Sequence, residues 1–166
     1  MDQPEVTERL EDAVDDIDSI VKEIRATIFA LQSSGDLDRG VRSQVLDLVE
    51  ELGGHFPRSP RVRFDGPIDT IVGPTIRDHL LPVLRESLTN VAKHARASDV
   101  EVELAADHAG VRLRVADDGV GMPEDPGEGF GLTNLHERAA ELGGTVWIGS
   151  ASADGGTVVI WTVPGQ

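Results

Sequence analysis

Four polar residues that can do chemistry together, Glu86, Asn90, Lys93 and His94, fall within nine consecutive positions. On a helix of 3.6 residues per turn they share one stripe. An acid, an amide and two potential cations on one stripe can hold Mg²⁺ and phosphate oxygens. Asparagine offers a neutral oxygen suited to a hard cation that keeps its waters, and Glu86 can orient a water or assist the metal. The same spacing also describes an ordinary solvated stripe, in which each i,i+4 pair contributes only a few tenths of a kcal/mol. Leu84, Leu88 and Val91 bracket Glu86 and Asn90. That puts both polar groups near the burial boundary, where leaving them unpaired is costly. His94 alone suits a helix-end residue facing the dipole.

A second group lies in "VADDGVGM", Val115–Met122. If side chains alternate along a strand, Asp117 shares a face with Val111, Leu113 and Val115, and Asp118 points the other way. A carboxylate on an inner face needs donors. Those donors can be the turn's own backbone, or a ligand amino group such as the exocyclic amine of adenine. Gly119 and Gly121 let the backbone approach closely, and a tight turn explains them equally well. In "GEGFGLTNLHERA", Gly127, Gly129 and Gly131 alternate ahead of a helix. Backbone N–H groups at such a helix start can cradle an anion. The pattern is neither the dinucleotide fingerprint nor a Walker loop. Gly155 and Gly156 precede Thr157, whose hydroxyl can approach Asp117; a hairpin turn also accounts for the glycines.

The elements that must position these groups follow from periodicity. "EVTERLEDAVDDIDSIVKEIRATIFALQ" carries Leu10, Val14, Ile17, Val21, Ile24, Ile28 and Leu31 in a heptad-like seam. It predicts a long helix that needs a partner. "QSSGDLDRG" marks a boundary. A helix is predicted over Val41–Leu52, ended by Gly53 and Gly54, and a short strand near Val62–Phe64. A long helix follows through "TIRDHLLPVLRESLTNVAKHA", with Pro82 predicting a bend or a late start. Two period-two strands flank "DHAG", Val100–Leu104 and Val111–Val115. A helix over Leu132–Leu142 stops at Gly143 and Gly144. A hairpin closes the chain, Thr145–Ser150 and Thr157–Val163. The fold class is α/β: a two-layer sandwich of a mixed, mainly antiparallel sheet packed on helices.

Composition narrows the partners. The chain has 166 residues, 39% of them hydrophobic and 4% aromatic, with a formal net charge of -15. A broad basic face for direct nucleic acid binding is excluded, and an anionic membrane surface is a poor partner. There is no cysteine, so disulfides and cysteine-ligated metals are excluded. No apolar run is long enough to span a bilayer, and the acidic N-terminus is not signal-like. The expectation is a soluble, cytoplasmic piece, whose parent is soluble or membrane-attached.

Taken together, "ESLTNVAKHA", "DDGVG", "GEGFGL" and "GGT", in this order, resemble the N-box and glycine boxes of the ATP-binding domain of sensor histidine kinases. That domain belongs to the wider ATPase group shared with gyrase and the ninety-kilodalton chaperone. The wording "ESLTNVAKHA", "GLTNLHERAAELGG" and "GGTVVIWTVP" resembles the nitrate-response-type subfamily. "IDSIVKEIRATIFALQ" resembles the second dimerisation helix of actinobacterial oxygen- or redox-sensing dormancy kinases. The resemblance implies residues 1–34 as a partial dimerisation region and 35–166 as the catalytic domain, with ATP and Mg²⁺ as ligands. It implies that Asp117 accepts from the adenine amine with Thr157 beside it, and that Gly119 and Gly121 line the purine pocket. Asn90 then ligates Mg²⁺ with Glu86 close by, Lys93 and His94 face the phosphates, and Gly129, Gly131 and Leu132 close the lid end. The lid, Met122–Phe130, is short and acidic.

The main departure is the phosphoacceptor. None of the five histidines, His55, His79, His94, His108 and His136, precedes the seam helix. The chain is therefore expected to begin at or near the second dimerisation helix and to lack the phosphorylated histidine. The implied partners are a dimer partner in the full-length kinase and a response regulator whose aspartate receives the phosphoryl group. An anti-sigma-type serine kinase with the same boxes is the alternative enzyme; a non-catalytic interaction module is the alternative outside enzymes.

Overall fold

The computed structural model describes residues 39–123, 131–152 and 155–165. The seam helix, Gly127 and Gly129 lie outside the described residues. Gly40–Gln166 forms a compact unit by itself. Its elements, in order, are α1 (Val41–Gly53), β1 (Arg61–Asp65), α2 (Ile68–Ile71) and α3 (Pro74–Asn90). A π-helical turn over Val91–Ala95 continues α3; β2 (Val100–Asp107), β3 (Gly110–Asp117), α4 (Leu132–Ala140), β4 (Thr145–Ser152) and β5 (Gly155–Pro164) follow.

The strands make one sheet in the order β1-β2-β3-β5-β4. Only β1 and β2 run parallel; the other three pairings are antiparallel. A parallel pair cannot be joined by a tight turn, and α2 and α3 lie in the crossover between β1 and β2. Alternation sorts the faces. Val102, Leu104, Val111, Leu113, Val115, Trp161 and Val163 are buried and look toward the helices. The opposite face carries Arg63, Glu101, Glu103 and Arg114, joined by ion pairs of 3.1 to 3.7 Å. The core lies between sheet and helices, with Ile76, Leu80, Val83, Leu84 and Leu88 of α3 fully buried in it.

Two local expectations are corrected, and one element was not foreseen. The long helix does not start late at Pro82: it begins at Pro74, with Pro82 inside. Proline is favourable in the first turn, where its missing N–H has no partner to lose. The packing of the inner face carries the helix past the bond that Pro82 removes. The helix also does not stay α-helical to its end, because Val91–Ala95 forms a π turn closed by Arg96 at φ 52°. Lastly, α2 carries no sequence signal of its own. Asp69 on it accepts from the Arg42 N–H at 3.0 Å and so caps α1, whose own N-cap residue, Gly40, has no side chain to do so.

Candidate nucleotide site

β3 ends on Asp117 because alternation from Val111 carries it to the inner face. Its side chain is buried, at 5% exposure. Asp117 Oδ1 accepts from the Gly119 N–H at 2.8 Å. β3 and β5 stay in register to Ala116 opposite Val158, so the next step sets Asp117 beside Thr157. Burial pushes the Asp117 carboxyl above its ordinary value, and hydrogen bonds from Gly119 and from the backbone and side chain of Thr157 pull against that rise. The neighbouring acid behaves oppositely. Asp118 is exposed, and its Oδ1 accepts from the backbone N–H groups of Ser98 at 2.7 Å and Asp99 at 2.8 Å. Those hydrogen bonds hold its carboxyl below the usual value. One acid of the pair anchors the turn before β2, and the other looks into the core.

Three separated sequence boxes meet by backbone hydrogen bonds. The Ala95 carbonyl, at the end of the π turn, accepts from the Val120 N–H at 2.8 Å. The Gly119 carbonyl accepts from the Gly156 N–H at 2.7 Å. A Cβ on Gly119 would overlap the Ala95 carbonyl, and one on Gly156 would overlap the Asp117 carbonyl. Gly119 is thus a contact point between two backbones, the close approach that its residue type suggested, and it is not part of the cavity wall. Gly121, at φ 80°, does line the cavity.

That cavity lies between α3 and the ends of β3 and β5. Its wall includes Asn90 and His94, Asp117 and Gly121, and Leu132 and Thr157. Six residues singled out from the sequence are thus brought together from four separate boxes of the chain. Ser87, Val91, Ala95, Val115, Met122 and Val159 complete the wall; apart from Met122, the first residue of the expected lid, they were not foreseen as site residues. The signal for Ser87 was present: a lone hydroxyl on the otherwise aliphatic inner stripe of α3. The free volume is about 40 Å³. A larger, open depression of about 350 Å³ lies at the strand ends, with Arg61, Asp99, Glu101 and Asp118 around it. Asp117 lines it as well; its Asp99 faces Arg58 and Arg61 at 3.6 and 3.7 Å, and its lining holds no Val, Leu or Ile.

Lys93 is exposed and is not part of the cavity wall. The π turn explains this, because a wider turn carries a residue three positions on further off the stripe of Asn90. Glu86 stands apart from the cavity wall as well. Its side chain lies against the backbone of Gly131, where a Cβ would overlap the carboxylate. Gly131, at φ 60°, is the N-cap of α4, so Glu86 brings negative charge to a helix start, where the dipole favours it.

The chemistry of the cavity fits a flat heteroaromatic ring bearing an amine: a buried carboxylate at one end and aliphatic walls from Val91, Val115, Val159 and Leu132. For Mg²⁺, no group of three or more His, Asp or Glu among the described residues could hold an ion. The Asn90 oxygen, with Glu86 nearby, fits an ion whose other ligands are phosphate oxygens and water.

Residues 75–166 match the family model "Histidine kinase-, DNA gyrase B-, and HSP90-like ATPase". Sensor histidine kinase LiaS of Bacillus subtilis is 30% identical over 136 residues, covering 80% of this chain and 37% of LiaS. Sensor protein VraS of Staphylococcus haemolyticus is 34% identical over 135 residues, 80% of this chain and 38% of VraS. The chain thus spans well under half the length of these relatives. Among solved structures, the blue-light activated histidine kinase of Erythrobacter litoralis EL346 superposes with a TM-score of 0.58 at 20% identity, over 75% of this chain and 42% of that one. The chain belongs to the histidine kinase-, DNA gyrase B- and HSP90-like ATPases, as an ATP-binding catalytic domain of the kind that sensor histidine kinases carry.

Proposed function

We propose that this domain binds Mg·ATP in the cavity between α3 and the β3–β5 edge and presents the γ-phosphate to a histidine on a dimerisation helix. The observation that carries this reading is the Asp117 carboxylate, buried on the cavity wall and held by Gly119 and Thr157. It is placed to accept from the exocyclic amine of adenine, with Gly121 and Leu132 beside the ring. Asn90 offers an oxygen to Mg²⁺, and Glu86 stands near the start of α4. Lys93 and His94 lie toward the phosphates, and the glycine box that holds Gly129 and Gly131 belongs to the lid end. The acceptor imidazole nitrogen forms a bond to the γ-phosphorus as the bond to the bridging oxygen breaks. ADP leaves, and the imidazole proton passes to solvent or a base. Positioning and charge neutralisation dominate such a transfer. A response-regulator aspartate then receives the phosphoryl group.

The finer placement, among nitrate-response-type kinases and near the oxygen- or redox-sensing dormancy kinases, rests on the wording of "ESLTNVAKHA" and "GLTNLHERAAELGG". The relatives named LiaS and VraS do not add to it. No described helix is long and apolar enough to cross a membrane; a cytoplasmic position follows from the need for ATP.

The test is to supply γ-labelled ATP together with a dimerisation segment bearing a histidine. The reading predicts an acid-labile label on that segment, lost when Asn90→Asp is introduced. An acid-stable label would assign the domain to the serine kinases instead.

A further inference from the structure

Ser87 is 2% exposed and sits in the middle of α3 on a stripe otherwise made of Ile76, Leu80, Val83, Leu84 and Leu88. Its Oγ–H donates to the Val83 carbonyl, one turn back, at 2.8 Å. As packing alone, this is a poor choice. Alanine fills the position with higher helix propensity, and a serine that bonds back to the i−4 carbonyl slightly destabilises its helix. The hydroxyl nevertheless lines the same small cavity as Asp117 and Thr157.

A hydroxyl has one donor and two acceptor lone pairs. With the donor committed to Val83, what Ser87 offers the cavity is an acceptor. Ionised Asp117 is also an acceptor. Among the polar side chains of the wall, which also include Asn90, His94 and Thr157, Ser87 and Asp117 are thus two acceptors, and the complementary ligand group carries two N–H donors on one atom. A primary amine on a conjugated ring fits. A ring carbonyl at that place would face two acceptors and be rejected.

We propose that Ser87 is a specificity-determining residue: it accepts the second N–H of the exocyclic amine whose first N–H goes to Asp117, so the pair selects 6-amino over 6-oxo purine nucleotides. This rests on the nucleotide reading above and adds a residue to it. Sites built to hydrogen-bond an N–H discriminate strongly against analogues lacking it, because their buried polar groups are left unpaired.

The experiment measures equilibrium binding of two Mg²⁺-loaded ligands, ATP and the purine nucleoside triphosphate with hydrogen at position 6, to the unmodified chain and to Ser87→Ala. Loss of one neutral hydrogen bond predicts that Ser87→Ala weakens ATP about five- to tenfold. The analogue without the amine should change less than about twofold, with the melting temperature unchanged or raised. Equal weakening of both ligands, or no weakening of ATP, overturns the assignment. Asp117→Asn separates the two levels. If Asp117→Asn weakens ATP and Ser87→Ala does not, only the Ser87 role falls. If the unmodified chain binds neither ligand, the nucleotide reading falls with it.

Discussion

Adjacent acids of the same type carry opposite signs of stability in this fold. Asp117 has its carboxyl raised above the ordinary value of 3.8, first by burial. A folded-state value above the unfolded one means that the folded chain holds more protons between the two, so stability falls as pH rises through that interval. Ionised Asp117 therefore costs stability at neutral pH. Asp117→Asn is expected to raise the melting temperature of the ligand-free domain at pH 7, the difference shrinking as pH falls toward the ordinary carboxylate value; thermal denaturation across pH checks this. Asp118 has its carboxyl lowered, first by the Asp99 N–H and then by others. Its contribution is complete above the ordinary value and is lost as pH falls through the lowered one. Asp118→Ala should cost about 1 kcal/mol at pH 7, the scale of a capping carboxylate, and flatten the acid limb of the same profile. Alternation along "VRLRVADD" was enough to tell the two apart. Thr157 beside Asp117 was readable from the last glycine box, whereas the bonds of Asp118 were not, because Ser98 and Asp99 reach it only through sheet pairing.

Glycines make the junctions between elements here, and they are not equivalent. Gly156 sits at φ 79° with its missing Cβ aimed at the Asp117 carbonyl. Gly156→Ala combines backbone strain with a clash that neither backbone can relieve, and should cost about 3 kcal/mol. Gly143, after α4, has a similar φ of 69° but nothing within 4 Å of a Cβ. Gly143→Ala should cost only about 1 kcal/mol, the left-handed penalty alone. Denaturant unfolding of the two variants tests the contrast. At the other end of the domain, α1 depends on Asp69 for its cap. Asp69→Ala should cost about 1 kcal/mol and speed hydrogen exchange at the Arg42 amide. The helices and strands themselves were largely readable from period and stop signals, down to Gly53 and Gly143. The π turn was not, since "NVAKHA" is as good an α-helix by pattern. The need for a wide turn arises from where Val120 must meet the Ala95 carbonyl, which is a tertiary demand. Nor did the glycine boxes reveal that Gly119 serves backbone packing while Gly121 serves the cavity; both readings use the same residue type.

For the whole molecule, a formal charge of -15 means that a polyanionic ligand is drawn in by local groups and not by the overall field. Affinity for the triphosphate should accordingly depend on Mg²⁺ more than on lysine and arginine. The cavity gathers Asn90, His94, Asp117, Gly121, Leu132 and Thr157 from segments whose order along the chain already resembled a kinase. Ser87 joined them only once α3 was placed. The claim on which all of this depends is that the buried carboxylate of β3 recognises an adenine amine. Calorimetric titration of the domain and of Asp117→Asn with Mg·ATP tests it most directly. The expected result is saturable binding by the parent, weakened by about 2–3 kcal/mol in the variant, while the variant remains folded. A folded parent that takes up no Mg·ATP at millimolar concentration, or a variant that binds as tightly as the parent, would contradict it.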